Sequence, residues 1–163
     1  MQEENSVVII DADFLSSFLK IGKLALIKNF FKVEKLFIPV AVFNEIARTK
    51  LVKHVFEVKY LQIETVDEKS IANLDMDFDN LGNGEKECIA LCKNYRKSLL
   101  LTSDKKALDI ARKQGVMAIN IPAFLLACKS AAFLNTYEIS CIIQDLKIKD
   151  YYEFSDDMRK RLL

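Results

Sequence analysis

A chain of 163 residues fits one ordinary domain of roughly 100–200 residues, and a domain of this size buries about two-thirds of its unfolded surface without disulfide or metal staples. Apolar residues at 51% and charged residues at 29% exclude a disordered chain, and four Gly and two Pro leave little room for long linkers. The net charge of +1 neither indicates nor excludes a nucleic-acid partner, because the local distribution of charge decides that.

The first predicted element is a strand over residues 7–10, a β-branched run of the kind buried on both faces of a parallel sheet. Helices follow over residues 14–20 and 24–31. Residues 35–38 are a weaker strand, and Pro39 suits the first turn of a helix reaching about residue 49. Another weak strand covers 61–66. Gly82-Asn83-Gly84 then introduces an amphipathic helix over 85–96. Residues 99–101 are a strand, 105–114 a helix ended by Gly115, and 116–120 a last strand. Three helical segments close the chain near 123–134, 137–146 and 155–162. Strands alternating with helices predict an α/β fold: a three-layer α/β/α arrangement with a central, mainly parallel sheet. The expectation is one domain over 1–163, with a core at about 6–120 and a helical C-terminal extension at about 121–163.

Charge is unevenly spread. Residues 61–80 hold six acids and one base, whereas residues 84–114 hold eight bases and four acids. The bases of the second segment form either a basic surface beside an acidic pocket or the solvated faces of two helices. The four cysteines, Cys88, Cys92, Cys128 and Cys141, lack metal-type spacing; Cys88 and Cys92 share a helix face and read as small core residues. Acids precede the first apolar run, unlike a signal peptide, and no apolar stretch reaches the ~18 residues of a membrane span. A reducing cytoplasm is the expected compartment, with no membrane partner.

In open α/β sheets ligands bind beyond the carboxyl ends of the strands. Asp11 follows the first strand, and Asp104, in Thr102-Ser103-Asp104, follows the strand at 99–101, so the two are expected on one rim. Each has a structural alternative. Asp13 could cap the helix that follows it, and Ser103 or Asp104 the helix at Lys105; if Asp13 holds the cap, Asp11 is too early for that role. Glu45, in Val42-Phe43-Asn44-Glu45-Ile46-Ala47, is either a site residue or a surface glutamate. Glu85 and Glu87 open a helix, where acids suit the helix dipole. Two residues apart, they point about 200° away from each other on a regular helix. Both can face one ion only if the opening turn is irregular, which the flanking glycines permit. The helical wheel does not choose between them. Crowded carboxylates raise one another's pKa, and a bound divalent cation resolves that conflict. An all-oxygen set with no usable His or Cys favours Mg²⁺ or Mn²⁺ over Zn²⁺. Such ions promote phosphodiester hydrolysis by generating a hydroxide nucleophile and stabilising charge on the phosphate.

The motifs resemble the PIN-domain family, named for the PilT N-terminus. Ile9-Ile10-Asp11-Ala12-Asp13-Phe14-Leu15 looks like its opening, and Phe43-Asn44-Glu45-Ile46 like its second acidic motif. Leu81-Gly82-Asn83-Gly84-Glu85-Lys86-Glu87-Cys88-Ile89-Ala90-Leu91 is similar to the G-E-x-E-A-I-A-L stretch of one subgroup, and Leu100-Leu101-Thr102-Ser103-Asp104 to the later L-x-T-x-D motif. The resemblance covers residues 7–120. It implies a Mg²⁺- or Mn²⁺-dependent endoribonuclease. Many prokaryotic relatives are VapC-type toxins, often dimeric and held inactive by a cognate antitoxin protein, so an antitoxin partner and a homodimer are among its implications. Carried over by position, Asp11, Glu45, Glu87 and Asp104 form the catalytic, metal-binding set, with Asp13 and Glu85 in support. Two positions depart from the pattern: Lys105 stands where several relatives have a second acid, and Cys88 replaces the usual Ala. If RNA passes over the basic helices, Lys86, Lys93 and Lys105 are the expected phosphate contacts.

Two other readings compete. Asp11-Ala12-Asp13 after an apolar strand is also the opening of haloacid-dehalogenase-type phosphatases, with Asp11 as covalent nucleophile and Asp13 as acid/base; Phe14 and Leu15 fit that pattern poorly. A non-catalytic PIN-like module that binds RNA or protein is the third. Asp75-Met76-Asp77-Phe78-Asp79 is not an EF-hand, since Asn80 replaces the needed Gly and Lys86 the bidentate Glu. The only histidine, His54, reads as a surface or packing residue.

Overall fold

Three consecutive residues of the first strand, Val8, Ile9 and Ile10, are all at most 1% exposed. Successive side chains of a strand point to opposite faces, so this strand is covered on both sides. It is β1 (Val7–Ile10), the middle of a five-stranded sheet in a computed structural model that describes residues 6–74 and 80–163. The aspartate-rich segment 75–79, weighed above as an EF-hand, lies outside the described residues. The other strands are β2 (Leu36–Pro39), β3 (Leu61–Glu64), β4 (Ser98–Leu101) and β5 (Met117–Ile119). Their order is β3-β2-β1-β4-β5, and every neighbouring pair is parallel.

That order contains a switch point. The chain runs outward from β1 through β2 to β3, then crosses back to lay β4 on the other side of β1. Loops leaving β1 and β4 therefore diverge, and a crevice opens at their carboxyl ends. The register pairs Ile10 with Leu101, so the next residues, Asp11 and Thr102, emerge side by side. Two hydrogen bonds carry the ladder past the strands, from Asp11 N–H to the Leu101 carbonyl at 2.9 Å and from Thr102 N–H to the Ile119 carbonyl at 3.1 Å.

The helices are α1 (Ala12–Lys20), α2 (Leu24–Phe31), α3 (Val40–Ala47), α4 (Val52–Glu57), α5 (Glu68–Ala72), α6 (Asn83–Lys93), α7 (Lys105–Lys113), α8 (Ile121–Ser130), α9 (Thr136–Asp150) and α10 (Asp156–Leu162). Pro39 is not in the first turn of α3. It ends β2 and stands one residue earlier, at the N-cap position, where its φ of −73° still suits the turn into the helix. The short helices α4 and α5 have no counterpart in the sequence reading. With six and five residues, neither is long enough to show a helical period.

The C-terminal helices share the main core. Phe124 of α8 meets Phe14 and Phe18 of α1 and Phe30 and Phe31 of α2, with ring centroids 5.5–6.2 Å apart. Asp150, at the end of α9, accepts a hydrogen bond from Ser17 Oγ at 2.5 Å and pairs with Lys20 Nζ at 2.7 Å, which pins α9 to α1. Cys88, Cys92 and Cys128 are buried and unpaired, as small core residues. No helix among the described residues is long and apolar enough to cross a membrane.

Candidate active site

Asp11 is the most constrained of the acids. It is 4% exposed and takes the N-cap position of α1, with extended backbone at ψ 160°. This reverses the expectation that Asp13 could hold the cap and that Asp11 stood too early for it. The helix begins two residues sooner than its apolar periodicity suggests, because Ala12 carries no periodic signal. Asp13 lies exposed in the first turn instead. The Asp11 carboxylate is not engaged as an ordinary cap, which accepts from the second or third helical N–H. Oδ1 accepts from Ala12 N–H at 2.7 Å, and Oδ2 from the Thr102 hydroxyl at 2.9 Å. Burial pushes its pKa from the usual 3.8 up to about 7; the two hydrogen bonds oppose that rise, and the negative charges of Glu85 and Asp13 add to it.

Asp104 caps α7: Oδ1 accepts from Ala107 N–H at 2.7 Å. The capping alternative is thus realised, yet it occupies one oxygen only. Thr102 links this residue to Asp11. Its buried hydroxyl donates to Asp11 and accepts from Asp104 N–H at 3.2 Å. The sequence reading assigned Thr102 no role, although a threonine directly after the apolar run 99–101 and two residues before an aspartate was the available signal.

Glu45 lies on α3, facing the start of α6. A Cβ built on Gly84 would stand 2.5 Å from Glu45 Oε1, so only glycine leaves that carboxylate its position. Partial burial raises the Glu45 pKa, Glu85 and Asp13 raise it further, and Arg48 opposes them. Glu85 acts on both Asp11 and Glu45, and its Oε2 is buried without a hydrogen-bond partner among the described residues. Glu87 is engaged at one oxygen: its Oε2 accepts from Ala41 N–H at 2.9 Å, satisfying one of the unpaired donors at the start of α3. Helix α6 is regular through its first turns, so the two glutamates diverge as a regular helix requires.

The expected phosphate contacts separate. Lys105 opens α7 beside Asp104, and Lys86 lies in the first turns of α6, near the rim. Lys93 is at the opposite end of α6, donates to Gln114 Oε1 at 3.0 Å, and lines a cavity of about 670 Å³ at the amino ends of β1, β4 and β5. It thus lies at the amino edge of the sheet, with the carboxylates at the carboxyl edge.

The donor chemistry suits a hard divalent cation. Asp11, Glu45 and Glu85 offer oxygen alone, Glu85 Oε2 is an orphaned buried acceptor, and neither Asp11 nor Glu85 has a cationic partner in an ion pair among the described residues. Among the described residues, however, no three His, Cys, Asp or Glu side chains form a ready-made ligand group. The fit thus rests on donor type and on uncompensated charge.

Comparison with known proteins bears on the family and the fold. The family model DUF3368: PIN domain matches residues 7–163. No curated protein matches the chain. Among solved structures, the chain is similar to that of the PIN domain endonuclease Utp24, with a TM-score of 0.52 and 13% identity over 72% of this chain and 86% of that one. At that identity the likeness bears on the fold. The family match sets aside the phosphatase reading of Asp11-Ala12-Asp13.

Proposed function

Because the chain belongs to the PIN-domain family, a family of nuclease folds, we propose that it is an endoribonuclease that depends on Mg²⁺ or Mn²⁺ held at the carboxyl ends of β1 and β4. The observation that carries the reading is Asp11, a buried carboxylate whose charged neighbours, Glu85 and Asp13, are also negative. Such a cluster lowers the stability of the fold unless a cation neutralises it.

Asp11, Glu45 and Glu85 would hold the ion, with Asp104 completing the rim through its uncapped oxygen. A bound divalent ion supplies a hydroxide at neutral pH and offsets charge on the phosphate. Thr102 fixes the Asp11 carboxylate and orients the loop that carries Asp104. Gly84 leaves Glu45 room to face α6. Lys86 and Lys105 flank the rim as phosphate contacts. The finer reading is a toxin restrained by an antitoxin protein; growth arrest on expression, relieved by a co-expressed partner, tests it.

The test of the nuclease reading is cleavage of single-stranded RNA by purified protein with Mn²⁺, with EDTA, and with Asp104→Asn. Asparagine caps a helix as well as aspartate does, so this change removes charge and leaves α7 in place. Cleavage that needs Mn²⁺ and falls about 100-fold or more in the variant supports the reading. Equal cleavage in all three conditions points to a contaminating nuclease and ends it.

A further inference from the structure

Carboxylates alone repel a polyanion, so a nuclease built on them needs a cationic approach beside the site. The segment that follows Glu45 supplies one. Residues 48–59 carry four cations, Arg48, Lys50, Lys53 and Lys59, against one acid, Glu57, and Glu57 already faces His54 at 3.7 Å. All four cations are exposed, and Lys50, Lys53 and Lys59 have no ion-pair partner among the described residues. Arg48, the C-cap residue of α3, stands one turn beyond Glu45, and its charge acts on that carboxylate, so the basic segment begins beside the site.

Phe56 falls within this basic segment, three residues after Lys53 on the same face of α4. It is 74% exposed, an unusual position for a large apolar ring, and its one aromatic neighbour among the described residues is Phe43 of α3, edge to face with ring centroids 6.0 Å apart. Phe43 steadies the ring and leaves most of its surface open. A fixed aromatic ring among flexible cations has the chemistry of a single-stranded nucleic-acid site, where bases stack on rings and lysines follow the phosphates. A protein-docking face is the weaker reading, because lysine is depleted at such interfaces.

We propose that α4 and the turn before it bind single-stranded RNA leading to the carboxylate rim, with Phe56 as a base-stacking platform and Arg48, Lys50 and Lys53 as phosphate contacts. The identity of the nucleic acid rests on the nuclease reading. The surface itself is distinct from Lys86 and Lys105, and none of its residues belongs to the carboxylate cluster.

The chain has no tryptophan, so Phe56→Trp introduces a single tryptophan at the proposed platform, excited selectively over the tyrosines. The full chain is titrated in EDTA with an unstructured 15-nucleotide RNA bearing a fluorescent label. Phe56→Ala should weaken binding by about 5- to 100-fold, the range of one lost base stack, with an unchanged melting temperature. Phe56→Trp should bind within about twofold of the parent, and its emission should be quenched by the single strand and not by a duplex of the same sequence. Replacing Lys50 and Lys53 with Ala together should flatten the slope of log affinity against log salt by about 1.4. Unchanged affinity in Phe56→Ala, or tryptophan emission indifferent to RNA, overturns the proposal. So does a wild-type dimer that Phe56→Ala converts to monomer while RNA affinity stays the same, which would make this face a contact between copies. A chain that cleaves RNA with Mn²⁺ but binds normally as Phe56→Ala loses only this proposal. A chain that neither binds nor cleaves RNA loses the nuclease reading beneath it.

Discussion

Burial pushes the pKa of Asp11 from 3.8 when exposed up to about 7 in the folded chain. Well below pH 3.8 both states hold the proton and the residue is neutral toward folding. As pH rises from about 4 to 7 the unfolded state releases its proton first, so stability falls, by on the order of 4 kcal/mol if the whole shift is realised. Asp11→Asn removes that penalty; its amide oxygen still accepts from Ala12 N–H, and its NH2 donates to the Thr102 hydroxyl, which reverses that bond. The variant should abolish cleavage yet melt at or above the wild-type temperature in EDTA at pH 8, with the gap closing toward pH 4. Thr102→Val removes a hydrogen bond that lowers the Asp11 pKa. It should cost about 1–2 kcal/mol in denaturant melts, and shift the acidic limb of the pH–cleavage profile upward. Gly84→Ala should leave stability within about 1 kcal/mol, since alanine favours the helix by about that much. Because it displaces Glu45, cleavage should fall about tenfold or more. Asp11 and Asp104 were legible in the sequence because each follows an apolar run. Thr102 and Gly84 were not, because their importance lies in a neighbour 91 residues away for one and a facing helix for the other.

Helix α6 does two jobs with two glutamates, and the helical wheel could only say that they diverge. Their surroundings differ: Glu87 accepts from the Ala41 N–H, whereas the charge of Glu85 acts on Asp11 and Glu45. Replacement by glutamine separates these roles, since it preserves an acceptor and deletes the charge. Glu87→Gln should retain both melting temperature and most cleavage, whereas Glu85→Gln should retain the fold and lose cleavage by about 100-fold. The reverse pattern would exchange their roles. Elements with a strong local signal were readable: α2 falls over residues 24–31 and β1 over 7–10, as expected. Those without one were not. Helix α4 has a single buried residue, Val55, and α5 has none, so no apolar stripe marks either.

At the scale of the molecule, what brings Asp11 and Asp104 together across 93 positions of sequence is the return crossing that sets β4 beside β1. Alternation of strands and helices predicted a parallel sheet but not which strands adjoin, since order depends on long-range packing that no local window contains. The same crossing places Lys93 on the far edge, where the sequence had grouped it with Lys86 and Lys105. The proposed nuclease requires several acids from distant elements to act as one ligand set. Mn²⁺ titration by calorimetry of the wild type, Asp11→Asn, Glu85→Gln and Asp104→Asn tests this most directly. Saturable binding by the wild type, weakened about tenfold or more by each substitution with the fold intact, is the expected result. Affinity that is the same in all four proteins, or no binding by the wild type, would contradict it.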